Sequence, residues 1–315
     1  MFTRPASTTD ETIARAVAAH WLTAAGSVEV THLPWGFGAH HWRADGGGRT
    51  LFVTLDEPSP RHTAASLEAA YTGAAALAAA GLEVVCAPVP AATGRFTVDI
   101  GTGLLSATPW LEGRSPGQEE AREPGHVHKV VAAVTALHRS TPPDGLPRWA
   151  PKVGPAFADE LRARTARPWS SGPLAEEART ALAEHCDAVA RWTQRYLRLA
   201  ERARSARDTW VPTHGEPHFA NQIVGPDGLK LVDWESLALA PRERDHTALL
   251  AAGADGLDSD AEMLELFALD WRLSEIVEYA QWFEAPHTGN DDDRTALEGL
   301  HEELAADPAE HPPVP

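Results

Sequence analysis

The stretch VPTHGEPHFANQIVGPDGLKLVDWESLALA, residues 211–240, sets two polar clusters among short apolar runs. His214, Gly215, Glu216 and Asn221 form the first cluster; Asp233 and Glu235, beginning twelve residues past the asparagine, form the second. Between them, residues 222–224 and 229–232 are β-prone runs joined by Gly-Pro-Asp-Gly at 225–228, which predicts a hairpin with polar groups at its outer ends. Closing that hairpin carries Asn221 toward Asp233, so a carboxamide and a carboxylate can share one hard cation.

Upstream of this stretch the pattern is that of a small α+β unit. Residues 10–25 place Ile13, Val17, Ala18, Trp21 and Leu22 at helical spacing behind an acidic cap-like residue. Residues 28–33, 36–43 and 50–55 read as three antiparallel strands, with further strands expected at 83–86, 96–100 and 104–108. The Ala-rich segment 64–80, stopped by Gly81, predicts a helix packing on that sheet. PWLEG at 109–113 breaks the last strand and is taken as a hinge, and beyond it helices are expected at 126–140, 155–166, 174–205, 244–252 and 261–283. Segments 141–151 and 167–173 should be loops, and the tail 307–315 should be frayed.

Bulk properties narrow the function classes. With 315 residues and 43% apolar content, the chain can bury a large core, with a length prior of roughly two domains. A formal charge of −18 argues against nucleic acid or an anionic membrane as partner and favours small cations. Cys86 and Cys186 stand far apart and outside any CxxC pair, which predicts two buried thiols in a reducing compartment. The sequence has no apolar signal-type core at its start and no run of eighteen apolar residues, so the expected location is the cytoplasm.

The five-residue spacing from Glu216 to Asn221 equals that between the acid and the asparagine of a kinase catalytic loop. There the acid accepts the proton of an attacking hydroxyl while the asparagine binds the metal that neutralises the phosphate oxygens. Asp233 then falls where a second metal ligand belongs, at the end of the returning strand. A competing reading sets His214, Glu216 and His218 on one strand face as zinc or iron ligands, but Gly215 and Pro217 make that segment a loop. Residues 255–310 carry seventeen Asp and Glu against only Arg272 and Arg294. Most of these acids should be a solvated helix face, with Asp291, Asp292 and Asp293 in an exposed loop. If part of that face lines a cleft, it would attract a cationic acceptor such as an amino sugar. Trp271, Tyr279, Trp282 and Phe283 sit at helical spacing and read as core, and His126 and His128 as surface or capping residues.

HGEPHFAN, LVDWE and APRERD, together with the order of the elements before them, resemble the aminoglycoside phosphotransferase family, also called the phosphotransferase enzyme family. The resemblance implies a bilobal protein-kinase-like fold. A small N-lobe at 1–108, with an antiparallel sheet and a helix, would be followed by a hinge at 109–113 and a larger, mostly helical C-lobe at 114–306 carrying the catalytic hairpin. It implies ATP- or GTP-dependent phosphorylation of a small-molecule hydroxyl with Mg2+. By position, Glu216 would be the catalytic acid, Asn221 and Asp233 the magnesium ligands, and His214 and Asp245 supports of the loop.

Gly36 and Gly38 lie where a nucleotide-covering turn would be. The segment 107–113, Thr108 included, could offer backbone N–H and C=O groups to an adenine ring, with Pro109 and Trp110 as apolar wall; a bare linker is the competing reading. Two positions depart from the family pattern. The usual catalytic aspartate is Glu216, whose extra methylene shifts the carboxylate by about 1.5 Å. Thr54 stands where a phosphate-binding lysine is common, and no lysine precedes Lys129. Arg43, Arg61 and His62 are the cations expected to take its place. These departures also define the rival reading, a pseudokinase that binds a nucleotide or small molecule without turnover.

Overall fold

A computed structural model describes residues 1–305 apart from Ala6, Ala25, Phe37 and residues 57–61. Arg61 and the tail from 307 onward therefore lie outside the described residues. The chain divides into two compact units, residues 1–147 with 212–239, and residues 148–211 with 240–315.

The first unit is built on a five-stranded antiparallel sheet, β1 (Glu29–Leu33), β2 (His40–Gly46), β3 (Arg49–Asp56), β4 (Val98–Asp99) and β5 (Leu104–Pro109), in the order β1-β2-β3-β5-β4. The period of two sorts its side chains cleanly. Trp42, Ala44, Leu51, Val53, Leu55, Leu105 and Ala107 face one way and bury against Ile13 and Val17 of α1 (Asp10–His20). The opposite face carries a polar grid fixed by register: His41 opposes Thr54, which opposes Ser106, and Arg43 opposes Phe52, which opposes Thr108. α2 (Ala64–Ala79) starts at a Thr63–Ser66 capping box and sends Tyr71, buried, toward Ser106 on that second face.

Three strand expectations are revised. Gly36 and Gly38 have φ of 72° and 95°, so β2 begins only at His40. Residues 83–86 form a single parallel bridge, Val85 to Leu231, rather than a strand. The strand expected at 96–100 shrinks to two residues, because the Glu68 carboxylate of α2 takes the Phe96 amide at 2.9 Å and the Thr97 amide at 3.0 Å. Those donors are lost to a ladder.

After α3 (Gln118–Ala121) and α4 (Pro124–Arg139), the first unit resumes at the end of β6 (Val211–Thr213). It continues through the hairpin β7 (Gln222–Gly225) and β8 (Gly228–Leu231), paired as expected, into β9 (Ala238–Ala240). The hairpin is pressed against residues 112–114: the Arg114 and Val224 backbones exchange hydrogen bonds of 3.2 and 2.9 Å. A Cβ on Gly225 would lie 2.1 Å from the Glu112 carbonyl oxygen.

The second unit is helical: α5 (Phe157–Thr165), α6 (Ala175–Ser205), α7 (Glu243–Ala251), α8 (Ala261–Glu284) and α9 (Asp291–Ala305). Its core joins Leu161, Leu182, Val189, Tyr196, Leu273, Ile276, Phe283 and Leu300. Tyr279 and Phe283 are buried as expected, whereas Trp271 and Trp282 are only partly so. Residues 291–293, expected in an exposed loop, open α9 with Asp292 and Asp293 buried. Asp293 accepts from the Thr288, Gly289 and Asn290 amides at 3.1, 2.7 and 3.0 Å and from Trp282 Nε1 at 2.8 Å. Burial would raise its carboxyl, but those donors outweigh it and hold it low. The triple acid is thus helix-start architecture. Both cysteines are buried and unpaired, and among the described residues no helix is long and apolar enough to cross a membrane.

Candidate active site

The loop leaving β6 is built around His214, which is fully buried and packed at a tilt against Trp234 with ring centroids 4.5 Å apart. Its Nε2 lies 2.9 Å from the Val232 carbonyl, and its Nδ1 accepts the Glu216 amide at 3.3 Å. One ring therefore ties the start of the loop to the far end of the hairpin. Because both nitrogens serve the backbone, His214 is not set up as a metal ligand with Glu216 and His218. Gly215, at φ 100°, makes the turn between them.

Asn221 closes a 3-10 turn (Phe219–Asn221) and donates from Nδ2 to the Glu216 carbonyl at 3.0 Å. Its side-chain oxygen is the atom left for a cation. The Val232 amide donates to the Asn221 carbonyl at 3.0 Å, so hairpin closure places Asp233 one residue beyond the asparagine's backbone partner. Asp233 has φ 68°, the one non-glycine residue in the left-handed region among the described residues. A β-carbon there costs about 1–2 kcal/mol, a strain typical of sites where the side chain has a task. Trp234, locked by Nε1 to the Leu231 carbonyl at 2.8 Å, holds the kink. The Glu216 carboxylate lies 3.4 Å from Ser236 Oγ and 3.8 Å from His218 Nε2.

Carboxylates crowd this centre. Burial, then the Asp233 charge and its hydrogen bond, then Glu216 and Asp56, push Glu235 well above the usual range. Burial and then Asp233 push Asp56, at the end of β3, up to about 7. Burial, followed by Asp56, Glu235 and Asp233, raises the Tyr71 hydroxyl as well. Asp56 Oδ2 and Glu235 Oε2 are buried with no hydrogen-bond partner. Four neighbouring acids and two orphaned carboxylate oxygens are the signature of a site that expects positive charge.

The residues expected to meet a nucleotide are spread along the polar face of the sheet and its edge. Arg43 is bound to Asp45 at 2.8 and 3.0 Å and lies over Trp110, 4.9 Å from that ring's centroid. Trp110 also neighbours Phe52 at 6.5 Å and the exposed Trp35 at 6.3 Å, with Thr108 in register opposite Phe52. Gly36 packs against His41, whereas Gly38 has open space around it and His62 stands just ahead of α2. Asp245 is fully buried in the first turn of α7.

His126 corrects an expectation: instead of a surface or capping role, its Nε2 lies 2.6 Å from Gln222 Oε1, and Gln222 Nε2 donates to the Pro217 carbonyl at 2.8 Å. The sequence reading also passed over His41, Asp56 and Tyr71. Strand alternation counted forward from Thr54 would have put Asp56 on its face, whereas His41 comes there only through the register of β2 on β3.

The profile of the phosphotransferase enzyme family matches residues 29–282. The chain belongs to that family. This phosphotransferase is 29% identical over 249 residues to protein StrN of Streptomyces griseus, spanning 73% of the chain and 75% of StrN. Its fold is similar to that of spectinomycin phosphotransferase, APH(9)-Ia, solved with ADP and spectinomycin, at a TM-score of 0.67 and 14% identity over 96% of both chains. It is likewise similar to a microcompartment-associated aminopropanol kinase, at a TM-score of 0.60 and 14% identity, over 94% of this chain and 96% of that one. The protein-kinase-like fold and the enzyme class, a small-molecule kinase, follow from this membership.

Proposed function

We propose that this phosphotransferase transfers the terminal phosphate of ATP or GTP, with Mg2+, to a hydroxyl of a small, cationic, antibiotic-like or metabolic acceptor. The observation that carries the reading is Asp233, held in a left-handed conformation one residue past the amide bonded to the Asn221 carbonyl. Asn221 Oδ1 and the Asp233 carboxylate are the assigned Mg2+ ligands. Among the described residues no group of three or more His, Cys, Asp or Glu is arranged to hold a metal by itself. That suits Mg2+, which takes one or two protein carboxylates and fills its shell with water and phosphate oxygens. Bound there, it would neutralise the charge that develops on the phosphate oxygens.

In this reading Glu216 accepts the acceptor's hydroxyl proton, and Ser236 and His218 steady its carboxylate. His214 fixes the loop, as Asp245 does in the family pattern. Gly36, Gly38, Arg43, Thr108 and Trp110 border the nucleotide, with the lobes meeting at the hinge 109–113. One structural neighbour was solved with ADP and spectinomycin and another is an aminopropanol kinase, which supports a nucleotide donor and a small acceptor. A chain charge of −18 supports a cationic one.

The test has two stages. Mg2+ with ATP or GTP should raise the melting temperature, since a ligand at 100 times its Kd stabilises by about 2.7 kcal/mol. Nucleotide consumption across a panel of hydroxylated amines should then be abolished in Glu216→Ala. A shift without turnover on any acceptor would favour a nucleotide-binding protein, and no shift at all would sink both readings.

A further inference from the structure

We propose that His41 is the phosphate-contacting residue of the N-terminal sheet, donating from Nε2 to a terminal-phosphate oxygen where the strand has Thr54 instead of lysine. The proposal rests on the phosphotransferase reading of the site and adds a residue that neither the motifs nor the family pattern supplies.

The placement follows from register. His41 on β2 is the cross-strand partner of Thr54 on β3, on the polar face of the sheet, so its ring occupies the space that a side chain growing from position 54 would enter. The ring is fixed on two sides. Its Nδ1 lies 3.2 Å from Thr54 Oγ1, and its plane stacks on Phe52 with centroids 5.0 Å apart. With the Thr54 hydroxyl donating to Nδ1, the ring proton resides on Nε2 and makes that nitrogen a donor. Nε2 has no hydrogen-bond partner among the described residues, and it points at the glycine turn. A Cβ on Gly36 would stand 3.1 Å from it, and Gly36 has φ 72°. Glycine at position 36 leaves the approach to that imidazole N–H free of a side chain.

Electrostatics agree with the placement. Burial lowers His41 to about 4, the Asp233 charge opposes that shift, and the chain's amino terminus, His40 and His32 add to it. His41 is thus near enough to the assigned metal ligand Asp233 for that charge to act on it. Other cations of this sheet are already engaged: Arg43, on the same face, is clamped by Asp45, and Arg49 donates to the Trp21 carbonyl. His32 and His40 gather around Trp42. A neutral imidazole contributes a directed hydrogen bond and little charge, so Mg2+ must carry more of the phosphate neutralisation than in a relative with lysine.

The experiment compares thermal shifts from Mg-triphosphate, Mg-diphosphate and the bare nucleoside in the wild type, His41→Ala, His41→Gln and the double variant His41→Ala with Thr54→Lys. Steady-state KM and kcat are measured for the donor in parallel. His41→Ala should weaken triphosphate binding about tenfold or more, the worth of a hydrogen bond to a charged group. Its nucleoside shift should stay at the wild-type value. His41→Gln, which keeps an N–H donor, should recover part of the loss, and the lysine of the double variant should restore triphosphate binding. Equal loss of nucleoside and triphosphate binding, or unchanged triphosphate binding in His41→Ala, would overturn the assignment. A wild type that responds to no nucleotide would instead overturn the site reading on which it rests.

Discussion

His126 Nε2 and Gln222 Oε1 lie 2.6 Å apart, and the same glutamine donates to the Pro217 carbonyl at 2.8 Å, so a residue of α4 reaches the catalytic loop through one buried side chain. His126→Ala leaves the Gln222 oxygen without its partner, at a cost of about 1–3 kcal/mol. Urea denaturation should register that loss. The turnover number should fall while the nucleotide KM holds, because the loop backbone, rather than the nucleotide site, is what loosens. Wild-type stability and rate would show that the contact carries no load.

Asp233→Asn keeps the shape of the side chain and removes its charge. Metal-nucleotide binding should weaken by about tenfold or more, while the ligand-free protein should hold or gain stability as the repulsion with Glu235 and Asp56 is relieved. Calorimetric titration with Mg-nucleotide beside ligand-free melting separates the two. An equal drop in ligand-free stability would make Asp233 structural.

Asp56 gives a pH dependence with a definite sign. Its folded value of about 7 lies above the unfolded carboxylate value near 3.9, so the folded state binds the extra proton between them. Its contribution to stability is complete below about pH 4 and is lost as pH rises through 7. His41, lowered to about 4 from its ordinary 6.5, acts oppositely, with stability present above 6.5 and lost as pH falls through 4. The two offset each other in the wild type. Asp56→Asn should therefore melt higher than wild type at pH 8 and equal to it at pH 4, with a steeper rise between. Parallel melting curves at every pH would contradict the assignment.

Gly225→Ala puts a Cβ 2.1 Å from the Glu112 carbonyl oxygen, and both groups are backbone. The hairpin must retreat from residues 112–114, at a cost of about 1–3 kcal/mol for overpacking. Gly228→Ala has open space but a φ of 92°, so its penalty comes from backbone conformation alone. The first variant should also lower activity, and the second only stability.

The hairpin and its loop were legible because their contacts are local. A Gly-Pro-Asp-Gly turn between two β-prone runs sets the register, and that register fixes Asn221 relative to Asp233. Strand 83–86 failed for the opposite reason: its bridge partner is Leu231, distant in sequence, and among the described residues a single bridge forms. The 96–100 strand failed because Glu68, a residue of α2, takes its amides. In the acidic 291–293 run, charge density reads as solvent exposure, whereas three backbone amides and an indole pay for the burial of Asp293.

The sequence by itself determined the loop, the hairpin and the alternation of the sheet, since these depend on neighbours within a turn or a strand pair. Only the tertiary structure decided what surrounds Asp233. His41 on β2, Asp56 on β3 and Tyr71 on α2 all feel its charge, and none of these carries a motif. A titratable group's behaviour depends on which charges share its low-dielectric surroundings. That is a property of chain segments brought together by packing, so no spacing along the chain could have shown it.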